Sequence, residues 1–358
     1  MKEFDYPSLG EGRIHAYRWE PEGSPVAVVQ ILHGIAEHML RYDEFARFLA
    51  GHGFLVVAED HMGHGKSDGT PLYFTGGWET AAGDSYALLT ATHAEFPELP
   101  YFLFGHSMGS FLARTLLALH PEAPLAGAVL CGTGWQPAPV LAAGKTLCAL
   151  ARLRVGAKGH SKLLTSLMFG AYNNQFKPTR TKNDWICTDP EVVDRYTADP
   201  LCGGDATVGL AGDMMHGLML IQKKRSLEAM NQTLPVFFIA GESDPVGDMG
   251  KGVRRVFDKL NKTGHDVKLT LYPRIRHALI TEMNSAQVYE DLYAFFSSHL
   301  PKAEEPVYEK ETEAEPEVST ETEKSVENPA AEEEKETEAA AAEKYDDMPE
   351  ENAELPVI

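Results

Sequence analysis

The chain has 358 residues, 43% of them hydrophobic, enough for one large core or two modest ones. Its net charge of −21 is unevenly spread: residues 302–358 hold 21 Asp and Glu against 5 Lys, so −16 lies there and only −5 in residues 1–301. The mildly acidic main part argues against a nucleic-acid partner and against electrostatic adhesion to anionic lipid, and no run of ~18 apolar residues suggests a membrane span.

The start, Met1-Lys2-Glu3-Phe4-Asp5-Tyr6, is polar and short and does not read as a signal peptide. Arg13–Trp19 alternates with period two, as an edge strand does, whereas 26–32 and 54–58 are short apolar runs suited to buried parallel strands. Tyr42–Leu49 between them reads as a helix, ended by Gly51 and Gly53. Gly65-Lys66-Ser67 imitates the end of a phosphate-binding loop. The first Gly of that motif is replaced by Asp60, and Asp68-Gly69-Thr70-Pro71 breaks the helix that should follow. Asp60, His61 and His64 are potential metal ligands, but no second cluster supports them, and a polar loop bracing the floor of a site is the better expectation.

The next strand, 101–104, runs into Gly105-His106-Ser107-Met108-Gly109, and 110–119 follows with helical periodicity up to Pro121. A Gly-x-Ser-x-Gly turn between strand and helix is the nucleophile elbow: the turn leaves no room for side chains at its flanks and lifts the serine hydroxyl above the sheet edge. Strands follow at 126–131, 236–240 and 267–271, and 287–300 closes as an amphipathic helix. The interval between the strands at 126–131 and 236–240 is too long for a simple crossover and holds helix candidates at 140–153, 161–169, 190–196 and 207–230. Roughly residues 134–216 read as an inserted helical cap, a separate domain being the alternative. From Lys302 onward Glu, Ala, Thr and Pro dominate, and such a segment is expected to be a disordered acidic tail. The expected fold class is α/β, with a mostly parallel central sheet flanked by helices over 1–301.

A serine hydroxyl needs a base, the base needs an orienting acid, and a developing oxyanion needs fixed donors. In strand-turn-helix hydrolases those partners follow in the order Ser, Asp or Glu, His. Here Asp244, in Gly241-Glu242-Ser243-Asp244-Pro245 after the strand at 236–240, is the candidate acid, with Glu242 as its competitor. His277, beyond the strand at 267–271, is the candidate base. The loop His33-Gly34-Ile35-Ala36-Glu37-His38 can aim a backbone N–H into the site; the candidate oxyanion donors are the N–H groups of Ile35 and Met108, and His33 is expected to tie the loop down. Cys131, Cys148, Cys187 and Cys202 form no Cys-x-x-Cys pair and read as reduced thiols of a cytoplasmic protein. No cofactor and no metal are expected.

These blocks, with Arg41-Tyr42, residues 60–69, and Arg276-His277, resemble the α/β-hydrolase superfamily. More narrowly they resemble its monoacylglycerol lipase and lysophospholipase group, also labelled serine aminopeptidase-like. The resemblance spans about residues 1–300. It implies Ser107 as nucleophile, His277 as base, Asp244 as its orienter, and Ile35 and Met108 at the oxyanion hole. The chain departs from the family pattern at Arg274, near which relatives often carry Gly, and at Ala278, where they carry an acid. The expected activity is ester hydrolysis through an acyl-enzyme on a monoacylglycerol or lysophospholipid, with transient membrane contact through the cap. An exopeptidase or amidase on the same triad, using Glu37 or Asp60 to hold a substrate amine, is the alternative; a non-catalytic interaction protein acting through its tail is a third.

Overall fold

The computed structural model describes residues 1–282 and 285–301; the expected tail, 302–358, lies outside them. The chain divides into two units, Met1–Ala303 and Glu304–Ile358, and only the first holds described residues. Its sheet has eight strands: β1 (Lys2–Pro7), β2 (Arg13–Trp19), β3 (Ala27–Leu32), β4 (Phe54–Glu59), β5 (Tyr101–His106), β6 (Gly127–Cys131), β7 (Val236–Gly241) and β8 (Val267–Tyr272). They lie in the order β1-β2-β4-β3-β5-β6-β7-β8. The β1–β2 and β2–β4 pairings are antiparallel, and every pairing from β4 to β8 is parallel.

The five strands β3 to β7 are buried along their whole length, because helices cover both faces and leave no polar side to alternate with. The pleat sorts their side chains. Val28 and Leu32 of β3 join the core under α2 (Trp78–Glu95), α3 (Met108–Leu119) and α9 (Lys251–Lys262). Ala27, Val29 and Ile31 join the core under α1 (Asp43–Gly51) and α10 (Ser285–Ser298). Phe102 and Phe104 of β5 are wholly buried in that second core, each contributing at most ~1.5–3 kcal/mol.

Between β6 and β7 lie α4 (Ala138–Val155), α5 (Lys162–Phe169), α6 (Pro190–Ala198), α7 (Val208–Ile221) and α8 (Lys224–Ala229). Local signals start them: Ser161, Asp189 and Thr207 each accept a hydrogen bond from a first-turn N–H, and Gly156 ends α4 with φ 77°. The expected cap limit at residue 216 falls inside α7, which packs on α4 and also on α2 and α3.

Three elements are missing from the sequence expectation. β1 is an edge strand whose Lys, Glu and Asp hide its period, and α2 buries Ala81, Ala82, Asp84, Ser85 and Thr92 beside Trp78, Leu88 and Leu89, so small and polar residues interrupt the apolar period of its inner face. α9 buries Val253, Val256 and Leu260 at helical spacing, a signal present in the sequence. The single helix expected over 207–230 is two. Gln222 ends α7 because its side-chain amide pairs twice with the backbone of Gln136, at 2.8 Å each way, and Lys223 turns extended.

Candidate active site

Ser107 follows β5 and immediately precedes α3, with φ 53° and ψ −119°, a conformation costly for a residue with a Cβ. The flanking glycines are dictated by space. A Cβ on Gly105 would stand 2.5 Å from the Gly109 carbonyl oxygen, and one on Gly109 would stand 2.1 Å from that of Leu32. Ser107 N–H donates to Cys131 O at 2.9 Å, and its carbonyl accepts from Ser110 Oγ at 2.6 Å, so neighbours on β6 and α3 hold the strained turn.

Asp244 and His277 come together. The carboxylate is fully buried beyond the end of β7; its Oδ2 lies 2.9 Å from His277 Nδ1 and its Oδ1 accepts from Val246 N–H at 2.8 Å. With Nδ1–H donating to Asp244, His277 Nε2 is left as the acceptor. No hydrogen bond among the described residues joins that nitrogen to Ser107 Oγ, and such contacts tighten when substrate enters. The competitor Glu242 is exposed and makes no described side-chain hydrogen bond to His277.

The His277 ring sits between the His106 ring, 4.7 Å away, and the Trp185 ring from the segment between β6 and β7, 5.3 Å away. Its carbonyl pairs with His106 Nε2 at 3.1 Å. Arg274 has φ 62°, a left-handed conformation that glycine adopts at less cost. The loop is braced elsewhere: Ala278 N–H donates to Ile186 O at 2.8 Å, Arg276 N–H to Glu282 Oε1 at 3.1 Å, and the Arg276 guanidinium to the carbonyls of Asp184 and Cys187. Glu282 supplies an acid that the position after the histidine lacks.

On the opposite wall, a Cβ on Gly34 would stand 2.6 Å from Glu37 Oε1 and 3.1 Å from Ser107 Cβ, so the loop approaches the serine only through glycine. Among the described residues, the N–H groups of Ile35 and Met108 donate no hydrogen bond, and Ile35 and Ser107 line the same cavity. His33 joins the loop to residue 61, accepting from His61 N–H at 3.0 Å while Nδ1 faces Gly34 O at 2.7 Å; burial pushes its pKa well down, so it stays neutral.

Glu37 is spent on structure. It accepts from Gly34 N–H and Tyr42 O–H, each at 2.7 Å, and pairs with Arg41. Burial favours its neutral form, but the Arg41 guanidinium and His106 outweigh this and hold the carboxyl well below the usual range. Asp60 likewise accepts from Met39 N–H (2.7 Å), Lys66 N–H (2.8 Å) and Tyr17 O–H (2.9 Å). Neither carboxylate is among the described residues lining the cavity.

That cavity, about 460 Å³, opens beside Ser107 and runs among Val140, Leu147, Leu164, Met168, Met215 and Leu218. The described lining contains no Asp, Glu, Lys, Arg or His. Trp185, Tyr172 and His106 escape the sequence reading. His106 stands inside the elbow motif beside the serine, whereas Trp185 and Tyr172 reach the site only through the folding of a segment with no motif.

The family model for serine aminopeptidase, S33, matches residues 23–284. A monoacylglycerol lipase from Mycolicibacterium smegmatis is 29% identical over 304 residues, covering 83% of this chain and 98% of its own length. The Homo sapiens monoglyceride lipase is 29% identical over 266 residues, covering 74% and 80%. Among solved structures, a thermostable carboxyl esterase from Bacillus coagulans in complex with glycerol superposes with TM-score 0.77 at 29% identity, covering 84% of this chain and 99% of that one. A lipase in an open form gives 0.78 at the same identity and coverage. With its eight-stranded, mostly parallel sheet and its strand-turn-helix serine, the chain is an ester-hydrolysing, monoacylglycerol lipase-like α/β-hydrolase and belongs to the serine aminopeptidase S33 family.

Proposed function

We propose that the chain cleaves esters of a single fatty acyl chain, a monoacylglycerol or lysophospholipid, with Ser107, His277 and Asp244 as its triad. His277 Nε2 takes the Ser107 proton as Oγ attacks the ester carbonyl. The N–H groups of Ile35 and Met108 receive the oxyanion, each worth ~10²–10³ in rate. The imidazolium, stabilised by Asp244, protonates the departing alcohol. Water, deprotonated by the same nitrogen, then releases the acid and restores Ser107.

The cavity carries this reading: an apolar chamber beginning at Ser107 suits an acyl chain and gives an α-amine nothing to bind. The two carboxylates that an exopeptidase could have used, Glu37 and Asp60, are already committed to the loops. Val140 and Leu167, which line the cavity, are exposed, as are Leu150, Leu153 and Leu163 on the same α4 and α5, and we assign them the contact with lipid surfaces. Four unpaired cysteines, three of them buried, suit a reducing cytoplasm.

The test is fluorophosphonate labelling, expected on the wild type and absent in Ser107→Ala, followed by a panel of p-nitrophenyl and glycerol esters of graded length beside aminoacyl-coumarin amides. Faster turnover of the amides than of any ester would overturn the assignment.

A further inference from the structure

Outside the triad, one group of metal-ligating side chains converges among the described residues: His38, Asp199 and Cys202, whose ligand atoms all lie within 4.8 Å of one another. Asp199 and Cys202 are the ends of an Asp-Pro-Leu-Cys turn closed by Cys202 N–H to Asp199 O at 3.0 Å. A turn of this spacing presents side chains i and i+3 to one side, as the paired ligands of many zinc sites are presented. Leu201 N–H holds Asp199 Oδ1 at 2.8 Å, leaving Oδ2 directed at His38 Nε2, also 2.8 Å away. Holding one carboxylate oxygen from behind is how a ligand is oriented toward a metal.

We propose that His38, Asp199 and Cys202 bind a borderline-soft divalent cation of the zinc class, with water in the fourth position. Imidazole, thiolate and carboxylate are the ordinary zinc donors, and a thiolate disfavours magnesium and calcium. Tetrahedral bonds of ~2.0–2.3 Å place ligand atoms ~3.3–3.8 Å apart, so His38 and Asp199 separate by roughly half an ångström while the thiol closes in. The ion replaces the Cys202 proton, which is released to solvent, and the two anionic ligands balance its charge. Arg41 stands beside Cys202, but its own charge is taken by Glu37. Besides Asp199, the cleft leading to the site is lined by Asp43, Glu44, Asp189 and Glu282 against Arg41 and Arg195, an acidic excess. An ion here joins the loop that carries Ile35 to the segment between β6 and β7. Gly203 N–H and Tyr196 O–H, both bonded to Ala36 O at 2.9 Å, already tie the two together.

The experiment is titration of the metal-free full chain with cobalt(II), read by absorbance. One equivalent is expected to produce a thiolate-to-cobalt charge-transfer band that one equivalent of zinc abolishes. Cys202→Ser should remove the band, and His38→Gln should weaken zinc binding at least ~10-fold, with thermal unfolding of both metal-free variants unchanged. Failure to bind one equivalent, a band that survives Cys202→Ser, or undiminished affinity in His38→Gln would overturn the assignment.

Discussion

Replacing Asp244 by Asn changes almost no volume at a fully buried position but reverses the proton logic of the proposed base, His277. The carboxylate has one fixed donor on each oxygen: Val246 N–H at 2.8 Å on Oδ1 and His277 Nδ1 at 2.9 Å on Oδ2. The asparagine oxygen must keep the Val246 N–H, since turning the amide over would set donor against donor at a buried site, costing ~1–3 kcal/mol. The NH₂ group then faces Nδ1 and forces the proton onto Nε2, the atom that must receive the Ser107 proton. Turning the amide back restores the tautomer at that cost, so the tautomer alone accounts for roughly 5- to 150-fold. The remainder is the lost carboxylate charge beside the imidazolium. Together we expect a fall in kcat on the order of 10⁴, about 5.4 kcal/mol, as in serine proteases. Stopped-flow acylation with a p-nitrophenyl ester isolates this step, and urea unfolding confirms that the fold is intact. A folded Asp244→Asn enzyme within ~10-fold of wild type would refute the pairing of Asp244 with His277 as the working geometry.

Gly144 faces the cavity from α4, where a Cβ would come 3.0 Å from Met215 Sδ. Gly144→Val should exclude about two methylenes and lower kcat/KM for the longest acyl esters ~15-fold, at ~0.8 kcal/mol per methylene, while sparing acetate and butyrate esters. Uniform loss across the length series would place the acyl chain elsewhere. Glu37→Gln leaves the Arg41 charge buried and unpaired and should cost ~3 kcal/mol, measured by the urea unfolding midpoint; under ~1 kcal/mol would mean that the pair is solvated. Burial pushes the Asp213 carboxyl up to about 6. A raised acid pKa penalises the ionised form in the fold, with the penalty absent below ~pH 4 and full above about 6. Asp213→Asn should therefore stabilise the protein by ~1 kcal/mol at pH 8, a figure discounted for partial exposure, and by nothing at pH 4. Equal effects at both pH values would rule out the ionisation as the cause.

Much of the sheet could be read from the chain because buried parallel strands need nearly continuous apolar runs, and 26–32, interrupted only by Gln30, 54–58 and 236–240 supply them. The elbow was legible for a harder reason: Gly105 and Gly109 sit where no side chain fits, so the backbone geometry is written into residue identity. Ser107, Asp244 and His277 follow β5, β7 and β8, parallel strands of one sheet, so their order along the chain could be read once the strands were. α2 was not legible, because its buried face interleaves Trp78, Leu88 and Leu89 with alanine, serine, aspartate and threonine, and the polar ones depend on distant partners: Ser8 Oγ and Leu9 N–H for Asp84, and Glu59 of β4 for Ser85.

Composition and spacing thus determined the layer architecture and the elbow, since each depends on steric rules acting within a few residues, and they suggested the order of the proposed triad. Only tertiary structure decided that Trp185 would cover His277, that Glu37 and Asp60 would be consumed in holding loops, and that His38 would meet Asp199 across 161 positions of sequence. Those contacts join segments with no local pattern in common. Their energies come from which groups the packed sheet and the helices between β6 and β7 bring within reach, a property of the folded whole that no window of the chain contains.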